Sequence, residues 1–311
     1  MTETIAYLFP GQGSQALGMG KELADNYPIA KHIYSQADSI LGFSISKLAW
    51  EGPEAELNDT VNTQPALLVH SIAVLEVLKE DYPYLKPRFT AGHSMGELSA
   101  LVAAGALPFS EVLRLVRRRG ELMKRAGEVN PGGMAAILGL DIATLEKVCR
   151  EASHAGEVVQ IANDNCPGQV VISGNNRALE RAIQLSQQAG ARRAKALAVS
   201  IAAHSPLMSL AQSEFNQAVE ASPIDNPSIP IIGNISALPL ETKEQICSDL
   251  QGQLTSPVRW SESVQYMVAQ GVTQFLELGS GSVLTGLLKR ITDQAIGLAI
   301  GTPADLEKLI Q

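Results

Sequence analysis

Ser94, in the run Gly92-His93-Ser94-Met95-Gly96, is the residue of this sequence best placed to attack a carbonyl. The segment Phe89 to Gly92 reads as a strand and Glu97 to about Ala104 as a helix, with Gly105 placed to end it in a left-handed cap. In such a G-x-S-x-G elbow any side chain at the glycine positions would clash, and the turn presents the serine Oγ to a cleft. The Met95 backbone N–H then points to where an oxyanion would form, at a helix N-terminus whose dipole favours negative charge. His93 is adjacent to the serine, but neighbouring residues at an elbow point apart, so it reads as structural. A hydroxyl is a poor nucleophile until a base takes its proton. Of the five histidines, His32 and His70 fall in helix-like stretches and His154 in a polar turn, whereas His204 lies where the chain re-enters a larger domain. From position alone His204 also reads as a core histidine; the serine's need for a base selects it.

No histidine follows His204, which departs from the Ser, acid, His order of ordinary α/β-hydrolases. Asp141 and Asp164 lie between the two residues but fall in an inserted unit, so a dyad is expected, with a backbone carbonyl orienting the imidazole. Arg119 sits on a helix read from Glu111 to Ala126, three residues after Val116, four after Leu115, three before Leu122 and four before Met123. A buried arginine must be paired, and its planar fork suits a carboxylate. Two readings follow: an internal salt bridge, or a clamp on a substrate carboxylate. Arg114, Arg117 and Arg118 face elsewhere and read as solvated surface. Gln253, three after Leu250 on a helix read from Lys243 to Leu254, is a polar residue on an apolar face and needs a partner. Gly11-Gln12-Gly13-Ser14-Gln15-Ala16 has the spacing of a dinucleotide fingerprint, but Pro10 precedes it and no acidic residue ends a second strand. The better reading is a loop whose Gln12 N–H faces the elbow.

These residues need a scaffold, and the chain supplies an alternation of strand-like and helical runs without repeats, the pattern of an α/β fold with a parallel sheet. Residues 129–199 read differently: strand (Met134 to Leu138), helix (Ile142 to Ala152), two strands around Pro167-Gly168, helix (Ala178 to Gln188) and strand (Ala194 to Val199). That βαββαβ order is a ferredoxin-like unit inserted between residues 1–128 and 200–311. The 311 residues, 45% hydrophobic, suffice for a sizeable core. A net charge of -8 disfavours non-specific nucleic-acid binding. Cys149, Cys166 and Cys247 are too few and too scattered for a disulfide framework or a zinc site, which fits a reducing cytoplasm. Ile5 to Phe9 is too short an apolar run for a signal peptide or a membrane span.

Seven ordered segments resemble the malonyl-CoA:acyl carrier protein transacylase family. They are Phe9-Pro10-Gly11-Gln12-Gly13-Ser14-Gln15, Thr63-Gln64-Pro65-Ala66, Gly92-His93-Ser94-Met95-Gly96-Glu97, Arg119-Gly120, Pro167 to Gly174, His204-Ser205-Pro206-Leu207-Met208 and Pro257-Val258-Arg259-Trp260. The resemblance spans nearly the whole chain and implies a hydrolase-like large domain with a ferredoxin-like small subdomain. It implies Ser94 as nucleophile, His204 as base, Arg119 on the malonyl carboxylate, and the Gln12 and Met95 N–H groups as oxyanion hole. It also implies that the Gln253 carbonyl orients His204 and that Gln64 lies near the substrate. The implied substrates are malonyl-CoA and the phosphopantetheine thiol of an acyl carrier protein, in fatty-acid or polyketide biosynthesis, with no cofactor, metal, nucleic acid or membrane. Lys86, Arg88, Lys195, Lys289 and Arg290 are candidates for docking an acidic carrier. Two departures stand out: Ala202-Ala203 is smaller than the pairs of some relatives, and Ser280 stands where Gly-Pro-Gly is usual. A roomier pocket rejects larger acyl groups by only about 1–3 kcal/mol per methylene, so methylmalonyl is an alternative. A thioester hydrolase would share Ser94 and His204 but has no reason to bury Arg119, and a non-catalytic carrier-docking protein has no need of the dyad.

Overall fold

The computed structural model describes residues 4–309; the three residues before them and the two after lie outside the described residues. Among the described residues ten strands form two sheets: β1 (Ile5–Phe9), β2 (Pro87–Gly92), β3 (Gly132–Leu138), β4 (Val159–Cys166), β5 (Gln169–Asn175), β6 (Arg193–Ala196), β7 (Ile231–Ile232), β8 (Pro239–Leu240), β9 (Gln274–Leu278) and β10 (Ile296–Ile300). The larger sheet has the order β10-β9-β1-β2-β7-β8 and is parallel except for the closing β7–β8 pair. Its central strand is apolar at every position because both faces are covered. Alternate side chains divide the core: Ile5, Tyr7 and Phe9 join the cluster built on helices Thr60–Asp81 and Phe109–Val129, while Ala6 and Leu8 join the one built on Trp260–Ala269 and Val283–Ile291. Thr60–Asp81 is the one described helix long and apolar enough to cross a membrane, and 83% of its most apolar window is buried inside the protein.

The smaller sheet, ordered β4-β5-β3-β6, is antiparallel throughout. With helices Ile142–Ala152 and Asn176–Gln188 it has the strand order of a ferredoxin-like unit and its own apolar core around Ile137, Leu145, Ile172 and Leu179. The sheet is clipped to the larger part at β4: the Val258 N–H donates to the Ala162 carbonyl at 2.9 Å, and the Asp164 N–H to that of Val258 at 2.9 Å.

Most element ends fall within two residues of the sequence reading, and the larger differences are at three elements. The helix around Arg119 is longer than Glu111 to Ala126, running Phe109–Val129. The last strand of the small sheet stops at Ala196 rather than Val199. The helix read from Lys243 to Leu254 ends at Leu250, so Gln253 lies in the turns that follow. Gly252 is the reason a periodic pattern misleads there: it weakens helix continuation while Leu250 and Leu254 keep the apolar spacing.

Candidate active site

Strands β1 and β2 are parallel neighbours with Phe9 opposite Gly92, so the loops leaving their carboxyl ends emerge side by side, where α/β sheets place their ligands. One loop carries Gln12 and the other Ser94. Ser94 is in the left-handed region at φ 53°, a conformation a serine adopts only when its surroundings impose it. They do so by close packing: a Cβ on Gly92 would come within 1.9 Å of the Gly96 carbonyl carbon, and one on Gly96 within 2.2 Å of the Phe9 carbonyl oxygen. The Gly11 backbone lies equally close, its would-be Cβ 2.5 Å from the His93 carbonyl oxygen, which seats the Gln12 loop on the elbow. The Gln12 and Met95 N–H groups have no hydrogen-bond partner among the described residues, and both line the cleft with Ser94. His93 points away from the serine and pairs its Nε2 with the Asn165 Oδ1 at 2.8 Å, a structural contact with the small sheet.

A residue the sequence reading missed holds the elbow from below. The Ser94 N–H donates to Asn234 Oδ1 at 2.7 Å, while Asn234 Nδ2 donates to the Gly92 carbonyl at 2.7 Å. Asn234 follows a strand of only two residues, Ile231–Ile232, too short to give a periodic signal. Asn234→Ala leaves two buried backbone groups unpaired, each costing about 1–3 kcal/mol. The expected outcome is a loss of unfolding free energy of about that size in urea titration, with kcat falling more than KM. An unchanged kcat would show that the elbow holds its shape without this bracket.

Ser94 Oγ lies 2.8 Å from His204 Nε2. On the other side of the ring Nδ1–H donates to the carbonyls of Gln253 at 2.8 Å and Ser256 at 3.1 Å, which assigns the tautomer and leaves the Nε2 lone pair to face the serine. No carboxylate among the described residues shares this duty: Asp141 caps the helix Ile142–Ala152 through the Thr144 N–H, and Asp164 sits on β4, its N–H donating to the Val258 carbonyl. His204 is itself in the left-handed region, at φ 57°. Gln160 of β4 steadies that backbone, its Nε2 donating to the His204 carbonyl at 2.8 Å and to that of Thr255 at 3.0 Å. Burial, and then the charge of Arg119, push the imidazole pKa down from 6.5 to about 3. His204 therefore stays a free base as pH falls through the ordinary imidazole range. The acid limb of kcat/KM is expected clearly below pH 6.5 in a pH–rate profile of serine acylation, and a limb at or above 6.5 would contradict this environment.

Arg119 is 1% exposed and reaches the same serine, its Nη2 donating to Ser94 Oγ at 3.2 Å. Its other partners are neutral amides. Nη1 donates to Gln64 Oε1 at 2.8 Å, and Nε and Nη2 to Gln253 Oε1 at 3.1 and 2.9 Å. Of its five N–H groups one on Nη1 stays unengaged among the described residues. No ion pair is formed by Arg119 among the described residues, whereas the neighbouring Arg117 and Arg118 both pair with Glu121. Burial lowers the guanidinium pKa only to about 10, so it remains a cation at neutral pH. Among the described residues Glu97 is the one acid that acts on it, without touching it, and a desolvated cation with no carboxylate in contact, beside a nucleophile, is a receptor for an anion. Gln64 in turn donates to Thr60 Oγ1 at 2.9 Å, and Thr60 to the Gln12 side chain at 2.8 Å, linking the arginine to the loop of the oxyanion candidates. The cleft over these groups has a volume of about 1140 Å³, and its walls include Ala203 and the Leu197–Ile201 segment.

A family profile described as an acyl transferase domain matches residues 6–303 of this chain. The chain is 47% identical over 307 residues to the malonyl CoA-acyl carrier protein transacylase of Bacillus subtilis (strain 168), covering 99% of this chain and 96% of that one. To the enzyme of that name from Escherichia coli (strain K12) it is 42% identical, covering 99% of each. The chain belongs to the acyl transferase family, among the malonyl CoA-acyl carrier protein transacylases. The fold of this acyl transferase matches that of an acyl carrier protein S-malonyltransferase from Vibrio cholerae with a TM-score of 0.96 at 42% identity, covering 98% and 99% of the two chains. A malonyl-transacylase solved in complex with its type II PKS acyl-carrier protein matches with a TM-score of 0.95 at 42% identity, covering 98% of each chain.

Proposed function

We propose that this acyl transferase moves a malonyl group from malonyl-CoA to the phosphopantetheine thiol of an acyl carrier protein by a ping-pong mechanism through an ester on Ser94. The observation that carries the reading is the Arg119 cation, without a carboxylate partner and 3.2 Å from the serine oxygen. His204 Nε2 takes the proton of Ser94 Oγ as the oxygen attacks the thioester carbon, and the Gln12 and Met95 N–H groups receive the oxyanion. The imidazolium returns its proton to the departing CoA sulfur. A carrier thiol then repeats the sequence in reverse, giving up its proton to His204 and displacing the serine. The malonyl carboxylate, bound by Arg119 and neighboured by Gln64, holds the ester carbonyl in one orientation, which favours a positioned thiol over water. Methylmalonyl carries the same carboxylate, so Arg119 does not separate the two; that falls to the acyl pocket, where the small pair Ala202-Ala203 rejects an added methyl only weakly.

We assign residues 1–128 and 200–311 to the unit that carries nucleophile and base, and 129–199 to the unit that walls the cleft and braces His204 through Gln160. The chemistry needs no cofactor, and a cytoplasmic setting supplies CoA thioesters and carriers. The test is discharge of the acyl-enzyme. Malonylated protein freed of CoA is mixed with a phosphopantetheinylated carrier, and malonyl on the carrier thiol is expected to form faster than free malonate. Release to water at the same rate with or without carrier would favour a thioester hydrolase.

A further inference from the structure

Behind the arginine lies a pair of buried acids that the mechanism above does not use. Glu97 is 1% exposed and Asp249 5%. Glu97 accepts through Oε2 from the Gln253 Nε2, and Asp249 accepts through Oδ1 from the Ile235 N–H at 3.3 Å. Their remaining oxygens, Glu97 Oε1 and Asp249 Oδ2, are buried without any donor, although the two carboxyl groups adjoin each other. Two facing carboxylate oxygens stripped of water repel, and a single shared proton removes the conflict.

We infer that Glu97 is kept as the neutral acid, its Oε1–H donating to Asp249 Oδ2, and that this keeps the Arg119 charge uncompensated for the substrate carboxylate. The inference rests on the malonyl-transfer reading and makes Glu97 and Asp249 positioning residues that act through Gln253 and Arg119. The geometry decides which acid holds the proton. Burial raises both carboxyls, but Asp249 has the backbone N–H groups of Asn234, Ile235 and Ser236 to favour its anion, whereas Glu97 has that of Asn234 alone besides the Gln253 amide. Burial and the adjoining Asp249 hold the Glu97 carboxyl well above the usual carboxylate range. A neutral Glu97 also sets the amide of Gln253: the glutamate oxygen takes Nε2, so Oε1 is turned to Arg119. An ionised Glu97 would instead lend a negative charge to the arginine and weaken its grip on an incoming carboxylate.

Two variants locate the proton. Glu97→Gln reproduces the pattern of the neutral acid, accepting from Gln253 and donating to Asp249, so its acylation kinetics should stay within about threefold of wild type. In Asp249→Asn the oxygen must keep facing the Ile235 N–H, which turns the Asn amide N–H toward Glu97 and forces the glutamate to become the anion. KM for malonyl-CoA is then expected to rise about tenfold, the equivalent of one pK unit, while kcat and the slow acetyl-CoA reaction change little. The opposite order, with Glu97→Gln impaired and Asp249→Asn unaffected, overturns the inference, as does equal impairment of both. Infrared difference spectra of wild type minus Glu97→Gln at neutral pH, which need no substrate, should contain the carbonyl stretch of a protonated carboxylic acid. Its absence also overturns the inference. A wild-type protein that shows the band but no malonyl preference would instead refute the malonyl-transfer reading.

Discussion

His204→Ala is expected to lower the rate of Ser94 acylation by malonyl-CoA roughly 10⁴-fold while leaving the affinity for the thioester within a few-fold. Among the described residues the imidazole is the one base within reach of the serine, at 2.8 Å, and burial keeps it unprotonated, so its removal leaves the hydroxyl at its ordinary reactivity. The substrate's carboxylate is held elsewhere, so binding should survive. Stopped-flow or quenched-flow acylation with CoA release as the signal separates the two quantities. A loss under tenfold would mean that another group, or water, takes the proton.

Arg119→Ala is expected to lower kcat/KM for malonyl-CoA by about 10²- to 10³-fold, the worth of one or two charge-assisted hydrogen bonds in a buried site. Acetyl-CoA has no carboxylate to lose, so its slow acylation should hold or rise, and the malonyl preference should collapse. That second substrate is the internal control: persistent acetyl transfer shows Ser94 and His204 still in place. Arg119→Lys should recover little, because an ammonium replaces the fork that now spans Gln64 and Gln253. An intact malonyl preference in Arg119→Ala would remove the arginine from substrate recognition.

Local patterns made much of this site legible. Ser94 announced itself because an elbow requires glycines at fixed offsets, and the structure has Gly92 and Gly96 packed against backbone there. Arg119 could be read because a helix has one apolar face and the arginine sits in it. Gln253 was placed on the wrong element, yet its side chain is buried beside Arg119, since the apolar spacing of Leu250 and Leu254 marks the inner side of a turn as well as of a helix. What could not be read depends on contacts between distant segments. Asn234 meets Ser94 across 140 positions, and Gln160 crosses from the small sheet to the backbone of His204. Glu97 was hidden differently: an acid in the first turn of a helix is ordinary dipole compensation, and only the burial of Asp249 beside it gives it another meaning.

The central claim is that one serine attacks while one unpaired guanidinium, 3.2 Å away, selects the acid end of the substrate. The most direct measurement is the intact mass of the wild-type protein after brief exposure to equal concentrations of malonyl-CoA and acetyl-CoA, with the modified peptide then located. The expected result is a single malonyl adduct on the peptide containing Ser94 and little acetyl adduct. Equal labelling by the two thioesters, or an adduct on any other residue, would contradict it.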